Sequence, residues 1–191
     1  MKTSFYDREE LFEIGFRSIG KNVLISRKAS FYNPEVISIG NRVRIDDFCI
    51  ISGKVSIGSN VHIAAYSALF GAEKGIDIAD FVNVSSRVCI YAISDDYSGL
   101  SLTNPMIPDR FKHLEQREVI IEKHVIIGTG STVLPGITIG EGAAIGAMSL
   151  VKNNVEGWSV YAGIPVKKIG IRQKKLLELE QDYIKYLEGQ Q

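Results

Sequence analysis

A large apolar residue returns every six positions through most of this chain. Ile39, Ile45, Ile51, Ile57, Ile63 and Leu69 form one run, which resumes as Ile78, Val84 and Ile90 after a slip of three residues. Ile121, Ile127, Val133, Ile139, Ile145 and Val151 continue it, and Ile19, Ile25 and Phe31 are a weaker forerunner. A helix repeats its buried face roughly every 3.6 residues and a strand every 2. Six fits neither alone. A second column lies four positions after the first: Val43, Cys49, Val55, Val61, Ser67, Val82, Val88, Val125, Ser131, Ile137, Ala143 and Ser149.

This pattern describes short strands, each turning one large and one smaller side chain inwards. Three such strands close a triangular coil, and coils stack at the parallel-strand spacing of about 4.8 Å. A single coil cannot bury its own face and leans on its neighbours. The predicted fold is therefore all-β, a parallel β-solenoid. Glycine often follows the large residue, as at Gly20, Gly40, Gly58, Gly128, Gly140 and Gly146, which suits a tight bend between strands. Asn22, Asn60 and His124 stand just before the second column, and these residue types tolerate positive φ.

The repeat is interrupted twice. Residues 70–77, "FGAEKGID", hold the slip and a small excursion. Residues 94–117, "SDDYSGLSLTNPMIPDRFKHLEQR", form a long polar loop ejected from the wall; loops of this length on a rigid scaffold carry function. Both ends read as helical. Asp7 and Glu10 make a capping box for a helix over residues 7–16. An amphipathic helix begins near residue 171, with Leu176, Leu179, Tyr183 and Leu187 on one side. Both helices are expected to cover the open ends of the stack, whose strand edges are otherwise unpaired.

With 22 basic and 22 acidic residues among 191, no global field invites nucleic acid or an anionic membrane. No apolar run is long enough to insert into a membrane, and none resembles a signal peptide. A soluble cytoplasmic protein is expected. Cys49 and Cys89 fall within apolar rungs and are read as buried thiols rather than a disulfide framework.

The glycine-marked hexads, the ejected loop and the ending "IGAMSLVKNNVEGWSVYAGIPVKKIG" resemble the hexapeptide-repeat acyltransferases, which include galactoside, maltose and xenobiotic acetyltransferases. The likeness spans about residues 15–170, and "AGIPVKKI" is its most specific part. It implies a left-handed β-helix, a homotrimer and acetyl-CoA bound between neighbouring subunits, with no metal. Residues 6–53 and "DDYSGLSLTNP" look closest to the branch that acetylates sugars, or amino-deoxysugars carried on nucleotides, for surface polysaccharides such as lipopolysaccharide. The chain then divides into an N-terminal helical cap (1–18), the left-handed β-helix domain (19–169, loop 94–117) and a C-terminal helix (170–191).

Acyl transfer from a thioester needs a base and donors facing the oxyanion. Of the three histidines, His124 fits a turn and His113 a solvated loop, whereas His62 points outward beside Arg44, Asn83 and Ile126 of other rungs. The resemblance implies that this rung lines the acceptor site, which makes His62 the candidate near the acceptor. The resemblance places a catalytic histidine where the loop leaves the wall, and Asp95 stands there instead. A carboxylate is a weaker base for a hydroxyl, which favours an amine acceptor; Asp95 and Asp96 suit a cationic one. His62 and Asp95 are thus the catalytic candidates, with Tyr66, Asn83 and Asp96 for the acceptor. The resemblance assigns the pantetheine arm to Gly128, Gly130, Ser131, Gly146 and Ala147, and coenzyme A phosphates to Lys167, with Lys152 near enough to add charge. Lys168 and Arg172 read as solvated surface. O-acetylation of a sugar hydroxyl is the alternative. A zinc carbonic anhydrase on the same solenoid lacks the required histidine spacing, and a non-catalytic solenoid would have no use for the coenzyme-like ending.

Overall fold

The computed structural model describes residues 4–189. The hexads lie on short parallel strands wound into a triangular solenoid of about seven coils. One wall stacks Ser30–Tyr32, the start of Ile50–Ile57, the start of Ala68–Ile78, Cys89–Tyr91, Thr132–Val133 and Leu150–Val151. The second holds Ser18–Ile19, Ile37–Ile39, the ends of the two long strands, Val119–Ile121 and Thr138–Ile139. The third runs from Leu24–Ile25 through Arg44–Ile45, His62–Ile63, Asn83–Val84, Ile126–Ile127 and Ala144–Ile145 to Ser159–Gly163.

Both predicted columns point inward. From Ile39 to Val151 every member of each is buried, and Ile25 with them. Each fully buried aliphatic side chain contributes roughly 1.5–3 kcal/mol. Ile19 and Phe31 lie at the first coil and are only half-buried. Cys49 belongs to the inner column, but Cys89 faces outward on the first wall and is half-buried, so only one thiol meets its expectation.

The bends are not where the hexad glycines are. Left-handed φ occurs two positions later, at Asn22, Arg42, Asn60, Phe81, His124, Gly142 and Trp158 along one corner. Along another it occurs at Phe48, Tyr66, Arg87, Gly130 and Met148. The hexad glycines answer to stacking instead. A Cβ on Gly20 would lie 2.4 Å from the Gly40 carbonyl oxygen, and one on Gly128 would lie 2.5 Å from the Ala147 nitrogen. Only a bare α-carbon lets the coils close to strand spacing there.

The slip at 70–77 is absorbed inside the single strand Ala68–Ile78, whose register against Ile50–Ile57 shifts around Gly53, with Ala72 and Gly75 at positive φ. The loop leaves through a neck in which Ile93–Ser94 pairs antiparallel with Glu115–Gln116. Below it the coil continues, because the Arg117 N–H donates to the Ala92 carbonyl at 3.0 Å.

Helix α1 (Arg8–Glu13) is shorter than predicted, with the predicted capping box: Glu10 N donates to Asp7 Oδ1 at 3.0 Å and Asp7 N to Glu10 Oε2 at 2.9 Å. Its Leu11 is buried, and Phe16 meets Phe31 edge-on on the first coil. Helix α2 (Lys175–Glu188) does not cap the far end. It lies along the His124 corner, where Tyr183 donates to Asn60 Oδ1 at 3.1 Å and sits edge-on to Phe81. Leu179, expected on the packed side, is exposed, and Glu180 takes the inward place because the corner offers His124 and Lys123. Residues 1–3 and 190–191 of the expected terminal units lie outside the described residues. Among the described residues no helix is long and apolar enough to cross a membrane.

Candidate active site

Strand register brings together residues far apart in sequence. Lys28, Phe48, Tyr66, Arg87, Gly130 and Met148 occupy equivalent places on successive coils, two positions before the paired residues Ser30, Ile50, Ala68, Cys89, Thr132 and Leu150. Along this Tyr66 corner the chemistry changes in order. Cations come first, then a stacked aromatic pair, then Ser85 and Ser86 beside Arg87, then a smooth wall of Gly128, Gly130, Gly146 and Ala147. Phe48, Ser85, Arg87 and Met148 were not singled out from the sequence. Counting coil equivalents from Tyr66 would have found Phe48, Arg87 and Met148.

His62 stands on the third wall beside this corner. Its Nε2 lies 2.8 Å from Asp46 Oδ2, and its Nδ1 lies 3.2 Å from Asn83 Oδ1. Both ring nitrogens are thus engaged, and a general base needs one free. Partial burial of Asp46 works to raise its carboxyl pKa, but hydrogen bonds from Arg44 and His62 outweigh this and hold it below the usual range. Asn83, expected at the acceptor, helps to fix the imidazole.

Gly128, Gly130, Gly146 and Ala147, the residues expected at the pantetheine arm, lie together here, but Gly128 and Gly146 turn their missing Cβ against the next coil, and a Cβ on Gly130 would lie 2.5 Å from the Met148 sulfur. The Ser131 hydroxyl donates to the Gly146 carbonyl at 3.0 Å and accepts from Ser149 N at 3.2 Å, so its side chain is spent inside the stack. Lys167 lies on the hairpin that ends the third wall, opposite Ala162, beyond the same corner. Lys168 pairs with Glu156. Arg172 is not solvated surface: its Nη1 donates to the carbonyls of His124, Gly142 and Ala143, and burial lowers its pKa.

Asp95, Asp96 and Lys152 lie at a different corner, where the loop leaves. Asp96 is held by three hydrogen bonds. Its Oδ1 accepts from Ser98 N at 2.7 Å, and its Oδ2 from Ser101 N at 3.0 Å and Ser101 Oγ at 2.9 Å. These bonds hold its carboxyl far below the ordinary range. Asp95 accepts only a long contact from Asn104 N, 3.4 Å, and is exposed. One wall, about 17 Å of strand from Arg87 to Ala92, separates the two groups of residues within a chain. His113 extends from the loop with its ring exposed, and His124 is buried against Glu180. Among the described residues no three of His, Cys, Asp and Glu cluster as a metal site would require.

The model of the bacterial transferase hexapeptide (six repeats) matches residues 37–71 and 118–153. The dTDP-4-amino-4,6-dideoxy-D-glucose acyltransferase of Escherichia coli is 51% identical over 180 residues, 93% of each chain. This chain belongs to the hexapeptide-repeat acyltransferases. The acyltransferase also superposes on AntD, an N-acyltransferase from Bacillus cereus solved with dTDP and 3-hydroxybutyryl-CoA, with a TM-score of 0.95 and 57% identity over 98% of this chain and 100% of that one. The coil is accordingly the left-handed β-helix of this fold. AntD has also been solved with dTDP-4-amino-4,6-dideoxyglucose and coenzyme A, in variants that replace one serine, and with dTDP and coenzyme A in variants that replace an aspartate ten positions later. A putative lipopolysaccharide biosynthesis O-acetyl transferase, WbbJ of Escherichia coli K12, is 31% identical over 71% of this chain and 68% of its own.

Proposed function

We propose that this acyltransferase moves an acyl group from a coenzyme A thioester to the amine of a nucleotide-linked amino-deoxysugar of the dTDP-4-amino-4,6-dideoxyglucose type, with Asp95 as the base. The observation that carries the assignment is the exposed carboxylate at the loop neck, which accepts only one long contact. The substituted serine and aspartate of AntD stand ten positions apart, as do both Ser85 with Asp95 and Ser86 with Asp96 here. Asp96 already accepts three hydrogen bonds from Ser98 and Ser101 whereas Asp95 accepts one long one, which favours the Asp95 pair. A protonated sugar amine meets the Asp95 carboxylate and gives up its proton. The freed lone pair attacks the thioester carbonyl and the C–N bond forms; as the C–S bond breaks, the nitrogen sheds its second proton, which ends on the departing thiolate, giving the amide and free coenzyme A. A hydroxyl acceptor would ask for a stronger base, and the imidazole nearest the corner has both nitrogens committed.

Two corners separated by a wall cannot meet on one thioester within a chain. The active unit is therefore a homotrimer in which the loop corner of one subunit faces the Tyr66 corner of the next. Gly128, Gly130, Gly146 and Ala147 line the pantetheine groove, Lys167 meets a coenzyme A phosphate, and Lys152 adds charge from the neighbouring subunit. His62 and Asn83 orient the acceptor side. The reaction belongs to the cytoplasm, before export of a lipopolysaccharide-type sugar, where both cosubstrates are made. The test supplies acetyl-CoA with dTDP-4-amino-4,6-dideoxyglucose and follows thiol release and the amide product by mass spectrometry. Acylation of sugar hydroxyls with none of the nucleotide-linked amine would overturn the reading.

A further inference from the structure

Left-handed backbone crowds a Cβ against the neighbouring carbonyl, so bulky residues seldom occupy it. The His124 corner carries three ring-bearing residues in this conformation, Phe81, His124 and Trp158, and each has a partner on or beside α2, while Arg42 on the same corner donates to Asn60 Oδ1. Tyr183 meets Phe81, Glu180 meets His124, and Lys174 Nζ stands 5.1 Å from the Trp158 ring. The Tyr66 corner carries Phe48, Tyr66 and Arg87 in the same conformation, and among the described residues α2 has no counterpart over them. Phe48 and Tyr66 are 45% and 57% exposed, and their rings stack with centroids 5.0 Å apart and planes 22° from parallel.

Coil order decides which face of the stack is open. Lys28, one coil before Phe48, holds its ammonium 5.2 Å from the Phe48 ring and closes that side. Arg87 lies one coil beyond Tyr66, with its backbone N–H on the Ala65 carbonyl at 3.1 Å. The free face is that of Tyr66, turned towards Arg87. Among the described residues the Arg87 guanidinium makes no hydrogen bond or ion pair, and the Tyr66 hydroxyl makes no hydrogen bond.

A flat aromatic face beside an unpaired guanidinium matches a planar base joined to a diphosphate. Bases stack on aromatic rings without needing edge contacts, and arginine grips phosphate oxygens in a fork. We propose that Tyr66, backed by Phe48, is the stacking platform for the nucleobase of the acceptor, and that Arg87 holds its diphosphate. The assignment rests on the nucleotide-sugar reading above. It also sets direction: base at Tyr66, diphosphate one coil on, and sugar amine beside Ser85, facing the smooth wall where the thioester lies.

The experiment titrates dTDP and, separately, coenzyme A into the intact protein and its Tyr66→Ala, Tyr66→Phe and Arg87→Gln variants by calorimetry, with sedimentation velocity on each. Loss of the ring weakens dTDP binding roughly ten- to hundred-fold. Tyr66→Phe retains wild-type affinity, Arg87→Gln loses about ten-fold, and coenzyme A binding is unchanged throughout. Wild-type dTDP affinity in Tyr66→Ala, with the enzyme still acylating the nucleotide-linked amine, overturns the platform and leaves the function standing. No dTDP binding or nucleotide-sugar turnover by the wild-type protein overturns the function and the platform with it. Dissociation of the assembly in Tyr66→Ala assigns the aromatic pair to a subunit contact and overturns the platform as well.

Discussion

Glu180 Oε2 lies 2.8 Å from Nε2 of His124, and this contact fastens the C-terminal helix to a corner of the solenoid. The second oxygen of the same carboxylate takes Lys123. His124 is buried in a left-handed bend and ring-stacked on Phe81, so its orientation is set before the helix arrives.

Replacing Glu180 with glutamine should therefore loosen α2. The amide keeps one acceptor oxygen for two donors, so either the buried imidazole or the Lys123 ammonium loses its partner, at a cost of about 1–3 kcal/mol. Burial tends to raise the Glu180 pKa, but hydrogen bonds from Lys123 and His124 prevail and hold it low. A carboxylate held low contributes its full stability above the ordinary carboxylate range and loses it as pH falls through the folded value. Trp158, the single tryptophan, stands on this corner and reports on it by fluorescence. In wild type the urea midpoint should fall as the solution is acidified below the ordinary carboxylate range. In Glu180→Gln it should already be lower at neutral pH and show less of that acid-dependent drop.

Gly128→Ala should destabilise the fold even though alanine suits the backbone angles. The new methyl group would meet the Ala147 nitrogen at 2.5 Å and the Gly146 carbon at 2.7 Å, backbone atoms that cannot rotate away. Overpacking of this kind costs typically about 1–3 kcal/mol. Gly170→Ala is the control, since its nearest neighbour would be Val160 Cβ at 3.9 Å, and its effect should stay within about 0.5 kcal/mol. Thermal unfolding of the two variants side by side distinguishes stacking from bending as the reason for the hexad glycines.

That distinction marks where the sequence stopped being readable. Ile45 and Val43 announce their direction because burial of a large side chain is what the period reports. Gly128 has no side chain, so a tight bend and a close approach look alike until the coil above it is known. Apolar spacing places Leu179 on the packed side of the helix, yet the corner it would face presents an imidazole and an ammonium, which take Glu180. The candidate site suffered most. Tyr66 and Arg87 become neighbours only once the slip inside Ala68–Ile78 is counted correctly, and Asp95 is separated from His62 by a wall that no local motif encodes.

Cys49 should resist alkylation in the native protein. It is fully buried, its thiol lies 3.2 Å from the Ala64 carbonyl, and burial pushes its pKa up to about 11. Thiolate is the reactive form, so both access and ionisation are denied. Mass spectrometry after iodoacetamide treatment at about pH 8 should show Cys49 unmodified until denaturant is added. Labelling of folded protein at this residue would mean that the second and third coils open locally.

The two aspartates of the loop should separate by kinetic parameter. Asp95 sits at the neck with its carboxylate nearly free, and Asp96 is wrapped by Ser98 and Ser101. A base must be able to collect a proton, and the bonds that keep Asp96 ionised deny it that role. Asp95→Asn keeps the side-chain shape and removes the base, so kcat should fall on the order of 10²–10⁴-fold with coenzyme A affinity unchanged. Asp96→Asn leaves the base in place but weakens the turn that shapes the loop, so the acceptor KM should rise while kcat changes far less. Steady-state kinetics with a nucleotide-linked aminosugar, varied against saturating acetyl-CoA, measures both. If Asp96→Asn were the variant that lost turnover, the base would have to be placed on the wrapped carboxylate, and the loop would need to rearrange on binding to free it.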